Sequence, residues 1–437
     1  MLMPDAIEQA EASDRYRTEH GPRSSLEGIP VIIKDNIDIA GQPTTAGAVA
    51  LATSTASADA HLVRRLREAG AVILAKANLS ELANFLTEGM PSGYSSLGGQ
   101  VLNPYDLSLT PSGSSSGTAT AVALHMAPIG VGTETDGSII SPAVHQSLVG
   151  IKPTLGLISR DGIFPISPSQ DTAGPMAATV ADAAALLVAM AGPDAADEAT
   201  TAAEGLDALR SWEPDPDCLG GARLVLIRPE SSSADAPSRR PVTEPVLEAL
   251  NAAGAEIADA GLPAIARDDE MFVLHYEFAP AVDAYLDRLG VAGPIKSLAE
   301  LHAWNNGHAE SALKYGQTHV DQALAINHVA AHGEYAEARR RDKDSVTAAL
   351  DAALEDADAL VFRAEEGATW AARSGWPSIS IPIGYSRRSR RPHGLSLVSR
   401  AWTEHRLLTL AAAIEEVCGF RSPPSEVNPA VFASRGL

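Results

Sequence analysis

The feature that most constrains this chain is an apolar run that ends on a lysine and is followed by a helix and a second apolar run. Ile29-Pro30-Val31-Ile32-Ile33 reads as a short buried strand ending at Lys34. Residues Asp59 to Gly70 carry a helical pattern, and Ala71-Val72-Ile73-Leu74-Ala75 reads as a strand. Two strands joined through a helix pair in parallel, so the chain must fold as an α/β protein. The rest of the text agrees. A helix is expected over residues 5–19, another begins at a Ser80 cap, and a small-residue helix runs from Thr118 to Ala127 before a strand around Ile129-Gly130-Val131. Further helices are expected over Val180–Ala191 and Glu404–Val417, and strands at Asp358–Phe362 and in the alternating Ser378–Ile383. With 437 residues, 45% of them hydrophobic, the chain can bury one large α/β domain or two modest ones.

Between these blocks lies a less regular stretch. From Gly192 to about Pro241 the text is dominated by Ala, Asp, Ser and Pro, and Ser231–Pro241 reads as an exposed loop. Residues 242–356 are mostly helical and hold Met271, Phe272, Tyr276, Phe278, Tyr285, Trp304 and Tyr315. Large side chains there belong first to a helix core, and second to a wall facing a substrate.

Charge narrows the function. Lys and Arg number 33 against 55 Asp and Glu, a formal charge of -22 that repels nucleic acid phosphates and anionic lipid. No stretch approaches the ~20 apolar residues of a membrane span. Neither a nucleic acid nor a membrane is an expected partner, and a cytoplasmic location is the default. Cys218 and Cys418 stand far apart with no close His, a spacing that gives no zinc site and no disulfide framework.

The chemistry concentrates in small residues. Residues 88–116 are rich in Gly, Ser, Pro and Asn and too long for an idle connection. Two clusters follow one another, Pro111-Ser112-Gly113-Ser114-Ser115-Ser116-Gly117 and Gly132-Thr133-Glu134-Thr135-Asp136-Gly137-Ser138-Ile139. Consecutive N–H groups in such turns can converge on a developing oxyanion. A phosphate cradle is excluded, because Gly117 is followed by Thr118 where a P-loop needs lysine. Gly113–Gly117 also fits a nucleophile elbow with Ser115 attacking, the route of a Ser-His-Asp esterase, but the text before it is loop rather than strand. A serine needs a base. His125 and His145 stand among apolar neighbours, whereas Lys34, desolvated at a strand end, could act as a neutral amine; alone, it could equally pair with Asp35.

These segments together resemble the amidase signature family. The matching text is LEGIPVIIKDNID, ILAKANLSELANF, SLGGQVLNPYDLSLTPSGSSSGTATAVA and GVGTETDGSIISPAVHQSLVGIKPTLGLISRDGIFPISPSQDTAGPMA, with a C-terminal block from Ala371 onward, over roughly residues 5–195 and 355–420. The resemblance implies a single domain with a mixed, twisted sheet surrounded by helices, a signature core over 25–195 and 355–420, and a variable cap over 200–355. It also implies a Ser-cisSer-Lys triad, with Lys34 on the family lysine, Ser114 on the serine whose peptide bond is cis, and Ser138 on the nucleophile. Backbone N–H groups of Thr135, Asp136, Gly137 and Ser138 would form the oxyanion hole, Ser115 and Asp171 would support the site, and no metal or cofactor is needed. The family's commoner wording is departed from at Ser112 and Ser116, which replace glycines, at Glu134, which replaces Asp, and at Asp136, which replaces Gly; Ile140 stands where Arg is frequent. TETDGSI resembles a bacterial branch that includes peptide amidases. The expected function is hydrolysis of a peptide amide, arylamide or small amide, with carbamates and esters as further substrates, by a monomer or homodimer. The alternatives are the glutamine-hydrolysing component of a tRNA-dependent amidotransferase and a silent relative that only binds amides.

Overall fold

The computed structural model describes residues 1–202, 204–228, 240–288, 293–386, 389–419 and 421–433. Its centre is one ten-stranded mixed sheet. In chain order the strands are β1 (Pro30–Lys34), β2 (Val72–Ala77), β3 (Ile129–Glu134), β4 (Val149–Lys152), β5 (Thr172–Ala177), β6 (Arg223–Arg228), β7 (Glu256–Gly261), β8 (Ala359–Arg363), β9 (Ser378–Tyr385) and β10 (Pro392–Val398). They lie side by side as β2-β1-β3-β5-β4-β9-β10-β8-β6-β7.

The helix His61–Glu68 carries the chain from β1 to β2, which pair in parallel as the strand–helix–strand text requires. β3 adds to the other edge of β1, also in parallel, with Ile33 opposite Val131. This register sets Lys34 near the carboxyl end of β3, beyond which residues 135–138 leave the sheet. β3 pairs antiparallel with β5. Val31, Ile33, Ile73, Ile129 and Val131 all join the main core, where helices Val180–Met190 and Glu404–Cys418 also pack. Thr179 caps the first of these through a bond accepted from the Asp182 N–H.

Two local expectations are corrected. No α-helix follows Ser80: residues 81–84 form a single tight turn in which Leu82, Ala83 and Asn84 adopt positive φ. The Ser80 hydroxyl, fully buried, accepts from the Gly93 N–H at 2.7 Å instead of capping a helix. The small-residue helix runs over Ser116–Ala123 rather than to Ala127, since His125 turns the chain with φ of 56° to meet β3. The described residues of the stretch 200–355 are mostly helical, and β6 and β7 within it extend the main sheet in parallel. Its long helices, Asp268–Arg288 and His328–Leu354, pack on each other, and Tyr285 of the first donates to Asp38, which follows β1. Of the Ser231–Pro241 loop reading, 231–239 lie outside the described residues, and Arg240 and Pro241 begin a helix. Among the described residues no helix is long and apolar enough to cross a membrane.

Candidate active site

Lys34 is the last residue of β1 and has no exposed surface. Its Nζ lies 2.8 Å from Ser114 Oγ, 2.8 Å from Thr133 Oγ1 and 3.1 Å from the Thr133 carbonyl oxygen. Asn36 Nδ2 donates to the same Thr133 hydroxyl at 3.0 Å. Burial drives the Lys34 pKa from 10.5 down to about 7, with Glu134 and Asp171 opposing the shift. Asp35 does not partner Lys34; it pairs with Lys76 at 2.9 Å.

Ser114 follows a cis peptide bond from Gly113 and is completely buried. Its loop is held against the turn after β2: the Ser80 N–H donates to the Ser114 carbonyl and the Gly117 N–H to the Asn78 carbonyl, at 3.1 and 3.0 Å. A Cβ on Gly117 would fall 2.3 Å from the Asn78 oxygen, so only glycine permits this approach. Ser112 and Ser116, which stand for glycines, bond within the loop: Ser112 Oγ meets Ser141 Oγ at 2.7 Å, and Ser116 Oγ donates to the Ser112 carbonyl at 2.5 Å.

Ser138 lies in the turn that joins β3 to the helix Ile140–His145. Gly137 adopts φ of 78°, which suits glycine and lets the chain reverse there. The turn is fastened from inside: Glu134 Oε2 accepts from the Ile139 and Ile140 N–H groups at 2.6 and 2.9 Å, and the Ser115 N–H donates to the Ser138 carbonyl at 3.2 Å. Ser115 is buried, with its hydroxyl bonded to the backbone of Thr133 at 3.2 and 3.3 Å. No strand precedes it directly, and among the described residues no histidine bonds to it. His125 contacts Arg421, and His145 contacts the Ser141 carbonyl and Arg391.

Asp171 accepts from Thr135 Oγ1 at 2.5 Å and from the Ile166 and Ser167 N–H groups at 2.8 and 2.9 Å. Its burial raises its pKa to about 6. Asp136 accepts from Arg267 Nη2 at 2.7 Å and Thr369 Oγ1 at 2.8 Å.

Ser138 borders a cavity of about 430 Å³ that Phe85, Glu88, Asp136, Ile166, Arg267, Met271, Leu274 and His319 also line. His319 stacks on Phe85, with centroids 4.5 Å apart, and meets His275 at 3.0 Å. A second cavity of about 330 Å³, bordered by Thr133, Phe164, Asp171 and Tyr285, shares Ala83, Thr135 and Ile166 with the first. Of the bulky side chains in the helical stretch, Phe278 is core, Met271 and Tyr285 are cavity wall, and Tyr315 is exposed.

The structure therefore brings Lys34, Ser114, Ser115, the turn Thr135–Ser138 and Asp171 to one place. Sequence reasoning missed Asn36 and Thr133, although both stand inside quoted segments and two positions from assigned residues. It also missed Arg267 and Thr369, for which the sequence carries no signal, since neither lies near the turn in the chain.

The family described as Amidase matches residues 1–369. The chain is 37% identical over 433 residues to a probable amidase of Arabidopsis thaliana, covering 96% of this chain and 83% of that protein. It is 32% identical over 431 residues to a glutamyl-tRNA(Gln) amidotransferase component of Deinococcus deserti, covering 92% and 85%. Among solved structures, native peptide amidase from Stenotrophomonas maltophilia superposes with a TM-score of 0.90 at 40% identity, over 97% of this chain and 89% of that one. An amidase family protein from Bacillus anthracis gives a TM-score of 0.89 at 37% identity, over 97% and 83%.

Proposed function

Because the chain belongs to the amidase family, we propose that it hydrolyses a carboxamide through an acyl-enzyme on Ser138, with Ser114 as proton relay and Lys34 as base. The observation that carries this reading is the buried Lys34 amine 2.8 Å from Ser114 Oγ, with a pKa near 7. A neutral amine has two protons and one lone pair. The Thr133 carbonyl and hydroxyl oxygens take the two protons, which leaves the lone pair for the Ser114 proton.

In the first half-reaction Ser138 Oγ bonds to the carbonyl carbon, its proton passes to Ser114 Oγ, and the Ser114 proton passes to Lys34 Nζ. Backbone N–H groups of Thr135, Asp136, Gly137 and Ser138 hold the oxyanion. The C–N bond then breaks as the proton returns through Ser114 to the leaving amine. Water repeats the sequence on the acyl-enzyme and releases the acid. Ser115 holds the serine loop to β3, and Asp171 holds Thr135; both act through the backbone they fix.

The substrate side of the reading rests on the cavity beside Ser138. Its apolar wall of Phe85, Ile166, Met271 and Leu274 suits the side chain of an acylated amino acid amide, and the peptide amidase likeness points the same way. Carbamates and esters follow from the same acyl-enzyme chemistry. The stretch 200–355 acts as the cap, since Met271 and Leu274 come from it.

Amine release from a panel of peptide amides, anilides and aryl carbamates tests this. Turnover is expected in the unmodified chain and loss of it in both Ser138→Ala and Lys34→Ala. Activity that survives Ser138→Ala would move the nucleophile elsewhere. The likeness to the amidotransferase component supports a second reading, glutamine hydrolysis for a partner; turnover of peptide amides but not of glutamine by the isolated chain rejects it.

A further inference from the structure

The turn that would hold the oxyanion carries a carboxylate of its own. Asp136 stands two residues before Ser138, lines the same cavity, and its N–H is one of the donors assigned above. A fixed negative charge at this point opposes the charge that develops on the substrate carbonyl oxygen.

Compensation comes from far along the chain. Arg267, just before the helix Asp268–Arg288, places Nη2 2.7 Å from Asp136 Oδ2. Its Nε bonds Glu270 Oε2 at 3.1 Å, and Glu270 has no exposed surface. The guanidinium is thus held on two edges by Asp136 and Glu270, a bridge that the rigid fork of arginine spans and a lysine ammonium does not; burial and the nearby Asp136 raise the Glu270 pKa to about 7, toward the neutral acid, which leaves the arginine charge to Asp136. Thr369 Oγ1 occupies the other oxygen of Asp136 at 2.8 Å, so the carboxylate is fixed in direction as well as paired.

We propose that Arg267 is a positioning residue that neutralises Asp136 and so allows the Thr135–Ser138 turn to stabilise an oxyanion. The inference rests on the reading of Ser138 and its turn as the reaction centre. Arg267 engages Glu270 and Asp136 through Nε and Nη2 and also lines the cavity, so coupling to Asp136 is what separates action through that carboxylate from direct contact with substrate.

The test is a double-mutant cycle read as kcat and KM on a neutral acylated amino acid amide. Arg267→Ala is expected to lower kcat by about 10- to 100-fold with KM little changed, since the uncovered charge opposes the transition state. Asp136→Asn in the Arg267→Ala background is expected to restore most of that loss, because the charge that needed covering is gone. An unchanged kcat in Arg267→Ala, a loss confined to KM, or a double variant no faster than Arg267→Ala would each overturn the proposal. Should Arg267→Ala fail to fold, Arg267→Gln keeps a donor to Asp136 without the charge. It is expected to show the same kcat loss with unaltered thermal unfolding, and wild-type kcat there overturns the idea. Fluorophosphonate labelling of Ser138 in the unmodified chain separates the two levels. Labelling with kcat insensitive to position 267 sinks this inference alone, whereas neither labelling nor turnover sinks the reaction centre with it.

Discussion

Lys34 is the residue on which the proposed chemistry turns, and its environment fixes the sign of its pH dependence. Burial favours the neutral amine and lowers the pKa to about 7. Only the neutral form can accept a proton, so activity is lost as pH falls through that value and rises to a plateau above it. A kcat/KM profile on a neutral amide is expected to show an acid limb near pH 7; a limb near 10, where an exposed lysine titrates, would refute the assignment. Lys34→Arg keeps a charge that cannot be shed, and is expected to lower kcat by about 10³-fold or more. The residues around Lys34 did not by themselves separate a base from an ion-pair partner of Asp35; the resemblance alone pointed to the base. Lys76, on the neighbouring strand, occupies Asp35 at 2.9 Å, which leaves Lys34 free for the proposed role. Thr133 escaped notice for a related reason: on β3 it reads as one small polar residue among several, and only the parallel register of β1 and β3 sets its hydroxyl against the amine.

At the scale of elements, the site is an agreement among segments that leave the sheet at one end. Ile166 belongs to the wall shared by the two cavities, and two carboxylates hold the segment Ile166–Asp171 that carries it. Asp171 fixes Ile166, Ser167 and Thr135 from within. Glu277, on the helix Asp268–Arg288, accepts from Ser167 Oγ at 2.6 Å, the Ser169 N–H at 2.9 Å and Tyr335 Oη at 2.5 Å, and so joins the helices Asp268–Arg288 and His328–Leu354 to the segment. Glu277→Ala leaves buried donors without an acceptor and is expected to cost about 1–3 kcal/mol in urea unfolding, with KM raised more than kcat is lowered. Unchanged KM would show that the helices do not order that wall. Periodicity found the elements that obey it, such as β1, β2 and the helix Val180–Met190. It failed at Ser80, where a good N-cap residue is claimed by Gly93 and the next turn runs left-handed; a local propensity of about 1 kcal/mol yields to such tertiary bonds.

Over the whole molecule, distant parts of the chain stabilise the serine helix. Residues 421–428 cross behind Ser116–Ala123: Arg421 Nη2 donates to Tyr105 Oη and the Ala123 carbonyl at 2.9 and 3.0 Å, and Asn428 Nδ2 donates to the Tyr105 carbonyl at 2.8 Å. Tyr105 has no exposed surface and packs with Ala119, Val122 and Val427. Truncation after Gly419 is expected to lower Tm by several degrees, consistent with a loss of about 2 kcal/mol or more, and to reduce activity in proportion to unfolding; an unaltered Tm would show the segment to be dispensable. The sequence by itself determined the α/β class, the parallel start of the sheet and the residues that converge at its carboxyl end. Those properties follow from local periodicity and from long motifs that occur in order. Tertiary structure alone decided that Thr133 and Asn36 surround the lysine, that β6 and β7 widen the sheet, and that Arg267 answers the charge of Asp136 across 131 positions. Contacts of that kind depend on which surfaces meet when helices pack over a sheet, and no spacing along the chain encodes them.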